Sequence, residues 1–479
     1  MAKETKTLDG SRSSATIFAG RLTAWLLILV ALVATPPLAR AQSKGDAPPV
    51  APDAAKKADD VAATAESLVT EFDVNGLKVL VKRRAGSQTV AAGLFLRGGA
   101  RNVTAQNAGI EALMWDVATE ASQSFPREVL RKELARMGTN LSYGINYDYS
   151  VLSLGSTRQN FNRSWDIFAD AALHPAFTTE DFERVKSRMV VARSGEADVP
   201  DSYLEVLQSR VAYANHPYSN NPDGTAESIS HLTLEDVRRY HQQMMQTSRL
   251  LLVVVGDLDA SAVRDRVAAT FGKFPRGDYH PAPAPPLQFT APTVEITQRG
   301  IPTNYVQGVF AAPPLTDPDI YPMRIATAIL NDRVYVEVRL RRNLSYAPNA
   351  FLRDQGANLG GIYVTAVQTN EAVSVMLSEI SRLKHERAQP TDISSEVSGY
   401  LTKYYLGQET NAAQAGELAM YELLGGGWRN STHYLERLRA VTPEDVQRVA
   451  QKYMRNLRFV VLGDPTKVDK NLFTGAASD

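Results

Sequence analysis

The chain has 479 residues, in which 52 Lys and Arg balance 52 Asp and Glu, and it contains no cysteine. Neutrality removes a global field for nucleic acid or an anionic membrane, and the missing thiols exclude thiol nucleophiles, disulfides and thiolate metal sites. The length suffices for two or three hydrophobic cores.

At the N-terminus, Arg21 precedes an apolar run from Leu22 to Ala34, then Pro36, Pro37 and Ala39-Arg40-Ala41. A basic flank, an apolar core and a small-x-small site read as a secretory signal over residues 1–41, which implies export to a periplasm. As an uncleaved anchor the run is short, and the prolines interrupt it. Residues 42–70 are rich in Ala, Lys, Asp and Pro and read as a disordered tether.

A first domain is expected over residues 71–274. Leu77–Val81 and Thr89–Leu96 read as a strand pair, Asn107–Ala121 and Pro126–Met137 as helices, and Asn140–Leu154 as a second strand pair. Helical stretches follow over Asn160–Leu173 and Thr178–Tyr213. Thr233 and Asp236 make a capping box for a helix, and Leu250–Val255 is a strand. Residues 275–292 are proline-rich and read as a semi-rigid connector.

A second domain is expected over residues 293–465, followed by a tail, 466–479. Val294–Thr297, Tyr305–Ala311, Tyr346–Arg353, Gly361–Val367 and Leu457–Leu462 read as strands; Pro318–Arg342, Asn370–Tyr405 and Ala412–Leu424 read as helical. The final helix is capped by Thr442 and Asp445. This unit repeats the earlier one: Thr-x-Glu-Asp-Val opens at Thr233 and at Thr442, and each copy runs through a polar helix into an apolar strand ending at Gly-Asp (Gly256-Asp257 and Gly463-Asp464). A repeat on this scale is a duplicated domain, so the fold class is α+β, with two homologous lobes of mostly antiparallel sheet covered by helices. Chemistry in two-lobed molecules tends to sit between the lobes.

The succession of elements resembles the pitrilysin/insulinase family of zinc peptidases over about residues 70–465. The residues that carry the likeness are Asn75-Gly-Leu-Lys-Val, Phe95-Leu-Arg-Gly-Gly-Ala-Arg101 ahead of a helix led by Gly109, Leu134–Tyr149 and His216-Pro-Tyr218. The Gly256-Asp257 strand end continues it, and Arg333–Arg339 with Tyr346 completes it. The resemblance implies an inverted zinc motif, His-x-x-Glu-His, on the helix after Gly109, with a Glu ligand some seventy residues later. Here Ala112 and Asp116 stand at the histidine positions, Trp115 stands at the general base, and the third ligand falls at or beside Arg193. Alanine cannot ligate, tryptophan cannot accept a proton and arginine repels a dication. No metal is therefore expected in this chain.

Glu111, Asp116 and Glu120 are nearby carboxylates, with Asp116 and Glu120 at i, i+4; their plain reading is a solvated helix face rather than a replacement metal site. None of the seven histidines falls in a His-x-x-Glu-His or His-Glu-x-x-His pair, and no Gly-x-Ser-x-Gly elbow is present. His216, before Pro217, reads as a hydrogen-bonded structural residue, and Gly425-Gly426-Gly427 as a helix stop.

The resemblance also implies an arginine and, seven residues on, a tyrosine in the C-terminal half, which orient the substrate carbonyl and stabilise negative charge on it. Arg339 and Tyr346 have that spacing, and Ser345 departs from the family's usual glycine. On spacing alone Arg339 reads as a surface arginine among Arg333, Arg341 and Arg342, and Tyr346 as a strand aromatic in the core. With the family context both become catalytic and substrate-binding candidates. The expected function is the metal-free subunit of a periplasmic heterodimeric zinc peptidase. Zinc and the intact motif would belong to a related partner, and extended peptide would be oriented in trans. The alternatives are a peptide-binding or scaffold protein of the same fold and a self-sufficient hydrolase with an unrecognised site.

Overall fold

The computed structural model describes residues 65–475; the expected signal segment, most of the tether and the last four residues lie outside them. Strand β1 (Val69–Val74) joins β2 (Leu77–Arg83) through Asn75-Gly76, whose φ values of 54° and 86° are those of a two-residue turn that follows the strand twist. β1 thus starts ahead of Glu71, inside the segment expected to be a tether.

The remaining strands of the first lobe are β3 (Thr89–Arg97), β4 (Asn140–Ile145), β5 (Tyr149–Thr157) and β6 (Leu250–Gly256). They assemble in the order β1-β2-β6-β3-β5-β4. The expected pairing of β2 with β3 does not occur. β6 lies between them, parallel to β2 and antiparallel to β3. The reason is its composition: every residue of β6 is buried, so it must sit centrally with both faces covered.

The second lobe repeats this plan. Strands β7 (Thr293–Gln298), β8 (Asn304–Ala311), β9 (Asn349–Leu352), β10 (Leu359–Ala366) and β11 (Arg458–Gly463) take the order β7-β11-β8-β10-β9, with β7 parallel to β11 and the other pairs antiparallel. Position for position this is β2-β6-β3-β5-β4 of the first lobe. Both capping boxes form: Thr233 with Asp236 opens helix Leu234–Met244, and Thr442 with Asp445 opens helix Pro443–Tyr453.

The lobes exchange helices. Leu204, Leu207 and Val211 of helix Pro200–Ala212 pack on Val460 and Leu462 of β11. Reciprocally, Ala415, Leu418 and Ala419 of helix Asn411–Leu424 pack on Leu251, Val253 and Val255 of β6. Alternate residues of β6 (Leu250, Leu252, Val254) and of β11 (Phe459, Val461) face the helices of their own lobe. Gly425-Gly426-Gly427 ends the exchanged helix and drops Trp428 into the junction, a helix stop as expected.

Residues 275–292 form neither helix nor strand and are fastened to both lobes. The His216 ring bonds the Pro285 carbonyl at 2.9 Å, Asn456 donates to the Phe289 carbonyl at 2.6 Å, and Arg458 stacks on the Phe289 ring. The expected tail is structured in its first part: helix Lys470–Gly475 buries Phe473 against Phe459. Among the described residues no helix is long and apolar enough to cross a membrane.

Candidate functional site

Helix Ile110–Ala118 starts at Gly109, whose φ of 89° suits glycine and whose missing side chain lets Ile229 and Gly224 approach. Eight of the nine helix residues are buried; of the positions that match a zinc motif, Ala112 and Trp115 lie in the core and Asp116 is the half-buried exception. Ala112 is buried and has no donor atom. Trp115 is fully buried, and its indole N–H donates to Ser150 Oγ at 2.8 Å. Asp116 accepts from Arg188 at 2.6 Å and from the Tyr143 hydroxyl at 3.0 Å. Burial opposes the Tyr143 phenolate, and the Asp116 charge adds to that, so the hydroxyl stays a donor.

Asp116 and Glu120 are not a solvated face. Glu120 pairs with Arg184 at 3.0 Å and Arg131 at 3.4 Å, and Arg184 also holds Asp181 at 2.7 Å. This network ties helix Ile110–Ala118 to helix Thr179–Ser194 through guanidinium groups. Arg193 pairs with Glu196 at 3.2 Å, and the residue that bonds Asp116 is Arg188. The register set by Glu120–Arg184 and Asp116–Arg188 reaches Ala192 one turn further on. Arg188 was invisible to motif alignment, although the four-residue spacing of Arg184 and Arg188 matches that of Asp116 and Glu120.

Glu111 points elsewhere. Its carboxyl accepts from the Tyr240 hydroxyl and from Asn102 at 3.2 Å, its other oxygen has no partner, and burial raises its pKa. Glu111, Asp116 and Glu120 therefore do not converge, and no metal-binding cluster of His, Asp and Glu occurs among the described residues. Zinc does not fit this donor set: one position has no lone pair, one presents an N–H, and the carboxylate is already held by a cation.

The C-terminal half presents a different surface. Helix Ile320–Val334 runs directly into a π-helical stretch, Tyr335–Arg341, a widened geometry often found at functional sites. Arg339 lies over the Tyr346 ring with its guanidinium carbon 4.3 Å from the ring centroid. Its other contact is one long hydrogen bond to Asn343 at 3.3 Å. Tyr346 precedes β9 and is 78% exposed, so it is not the core strand aromatic that its surroundings in sequence suggest. The neighbouring arginines are engaged: Arg341 and Arg342 both bind Glu337, and Arg333 lies 3.7 Å from Asp392. The left-handed residue of the turn is Asn343 (φ 52°), which allows a buried Ser345 beside Tyr346.

Residues 78–225 match the family described as Insulinase (Peptidase family M16), and residues 231–400 match the Peptidase M16 inactive domain. The zinc protease PqqE of Helicobacter pylori is 20% identical over 401 residues, which span 80% of this chain and 89% of that one. The probable mitochondrial-processing peptidase subunit alpha of Schizosaccharomyces pombe is 20% identical over 80% of this chain and 81% of its own length. Among solved structures, the peptidase M16 inactive domain from Pseudomonas fluorescens superposes with a TM-score of 0.76 at 18% identity, covering 82% of this chain and 98% of the other.

Proposed function

We propose that this chain, which belongs to the insulinase family of peptidases, is the metal-free, substrate-orienting subunit of an exported two-chain zinc peptidase. The observation that carries the reading is Arg339 stacked on an exposed Tyr346 with no carboxylate partner, while every neighbouring arginine is paired or close to an acid.

A guanidinium over an aromatic face is held by its π-contact, and its N–H groups remain directed outward in the plane. Such donors stabilise the negative charge that develops on a carbonyl oxygen under attack. Arg339 and the Tyr346 hydroxyl supply donors of this kind. The hydrolytic metal belongs to a related partner, because the matching helix of this chain holds none of the ligands. Subunit roles occur among its relatives, which include mitochondrial-processing peptidase subunits alpha and beta. Extended peptide would add to an open sheet edge, a common mode of peptide capture; β4 and β9 end their sheets on the corresponding side of each lobe.

The test is peptide cleavage by this chain alone, by a co-expressed zinc-bearing relative alone, and by the two mixed. Activity confined to the mixture supports the orienting subunit. Equal activity of the relative without this chain would make it a binding or assembly protein, and chelator-sensitive cleavage by this chain alone would make it a hydrolase in its own right.

A further inference from the structure

We infer that Glu337 is the positioning residue for the Arg339–Tyr346 pair, an inference that rests on the orienting role just proposed. Glu337 lies in the π-helical stretch with its carboxylate buried, one oxygen on Arg341 and the other on Arg342. Arg342 also donates to the Glu337 main-chain carbonyl at 3.1 Å. These contacts fold the chain after Arg341 back over the π-turn, where the Leu344 N–H closes on the Val338 carbonyl at 2.9 Å. Asn343, in left-handed backbone, makes the reversal possible. The outcome is that Tyr346 returns beneath Arg339.

Two effects follow from one carboxylate. It fixes the loop that carries Tyr346, and it pairs with Arg341 and Arg342, so that Arg339 is left without an acid beside two neutralised neighbours. Without it, three guanidinium groups within four positions would repel one another, and the exposed Tyr346 would have no fixed backbone beneath it. A carboxylate shared by two guanidiniums is a strong, charge-assisted anchor: the Arg342 hydrogen bond, with the charges of Arg341 and Arg342, outweighs the upward push of burial and leaves its pKa below the ordinary range.

The experiment compares Glu337→Gln and Glu337→Asp with the unaltered chain, first alone and then in the active mixture with the zinc-bearing relative. In the isolated chain, hydrogen exchange over residues 341–347 should quicken at least tenfold in Glu337→Gln, while exchange in β6 and β11 stays unchanged. In the mixture, kcat should fall about tenfold with little change in KM, and Glu337→Asp should recover part of both effects. Unchanged exchange, or faster exchange with kcat intact, would overturn the positioning role. Arg339→Ala serves as the control: if it also leaves turnover intact, the orienting role has failed, while the exchange data still decide whether Glu337 holds the segment.

Discussion

Helix Ile110–Ala118 and the segment from Tyr335 to Tyr346 carry the two sets of candidate residues, and they have opposite physical character. The helix is absorbed into the core: Trp115 fills volume and satisfies its N–H on Ser150, and Asp116 is spent on Arg188 and Tyr143. The second segment leaves a tyrosine ring in solvent and an arginine without an acid. Folding stability accounts for the first arrangement at these two positions, since the Trp115 N–H and the Asp116 carboxylate both have partners. It does not account for the second, because an exposed ring contributes little burial. A region that folding does not require but that keeps a defined geometry is where function is to be sought.

The strongest way to break this comparison is to restore the lost motif. Ala112→His, Trp115→Glu and Asp116→His together should give no stoichiometric zinc, because Arg188 faces position 116 and the third ligand is still absent. Trp115→Glu alone should destabilise the chain by about 3–5 kcal/mol, the cost of emptying a large aromatic site, with a buried carboxylate adding to it. Denaturant unfolding and metal analysis check both points, and tight zinc in the triple variant would contradict the register drawn between the two helices. In the opposite region, Arg339→Ala should leave the unfolding midpoint unchanged and lower turnover of the two-chain enzyme about 10²–10³-fold, equivalent to about 2.7–4 kcal/mol of lost charge stabilisation. Arg188→Ala should do the reverse: a loss of about 1 kcal/mol in stability, modest because the side chain is half-exposed, with turnover retained.

The duplication, the two capping boxes and most element positions were legible because they depend on local signals: Thr-x-x-Asp caps, β-branched runs, and Gly and Pro breaks. Strand neighbours were not. Nothing within Leu77–Leu96 says that β6, some 160 residues later, will separate β2 from β3. That Ala112, Trp115 and Asp116 do not form the zinc motif the resemblance implies was legible, because they lie in one short stretch. The partners of Asp116 were not, since Arg188 and Tyr143 come from other elements and meet it only through tertiary packing. Arg339 and Tyr346 were legible only through the family resemblance, since their spacing alone reads as a surface arginine and a core aromatic. Their contact, the exposure of Tyr346 and the restraint by Glu337 depend on a π-helical turn that helical periodicity does not announce.

The smallest expected effect concerns what holds the two regions on one frame. Glu71 on β1 accepts from the Trp428 indole at 2.8 Å, from Arg429 at 3.1 Å and from Lys78 at 2.9 Å, and Lys78 also reaches Glu422 at 2.7 Å; Trp428, Arg429 and Glu422 belong to the other lobe. Burial pushes the Glu71 carboxyl up, but the hydrogen bonds from Trp428 and Lys78 outweigh it and bring its pKa down to about 2. A carboxylate with a depressed pKa in the folded state stabilises it fully above the unfolded value near 4.5, and that contribution fades as pH falls towards 2. Solvent screening limits the effect to about 1 kcal/mol. Glu71→Gln should therefore lower the unfolding free energy at neutral pH, and the gap from the unaltered chain should close between pH 4.5 and 2. A gap that stays constant with pH would show that Trp428 packing, rather than the charge on Glu71, fastens this junction.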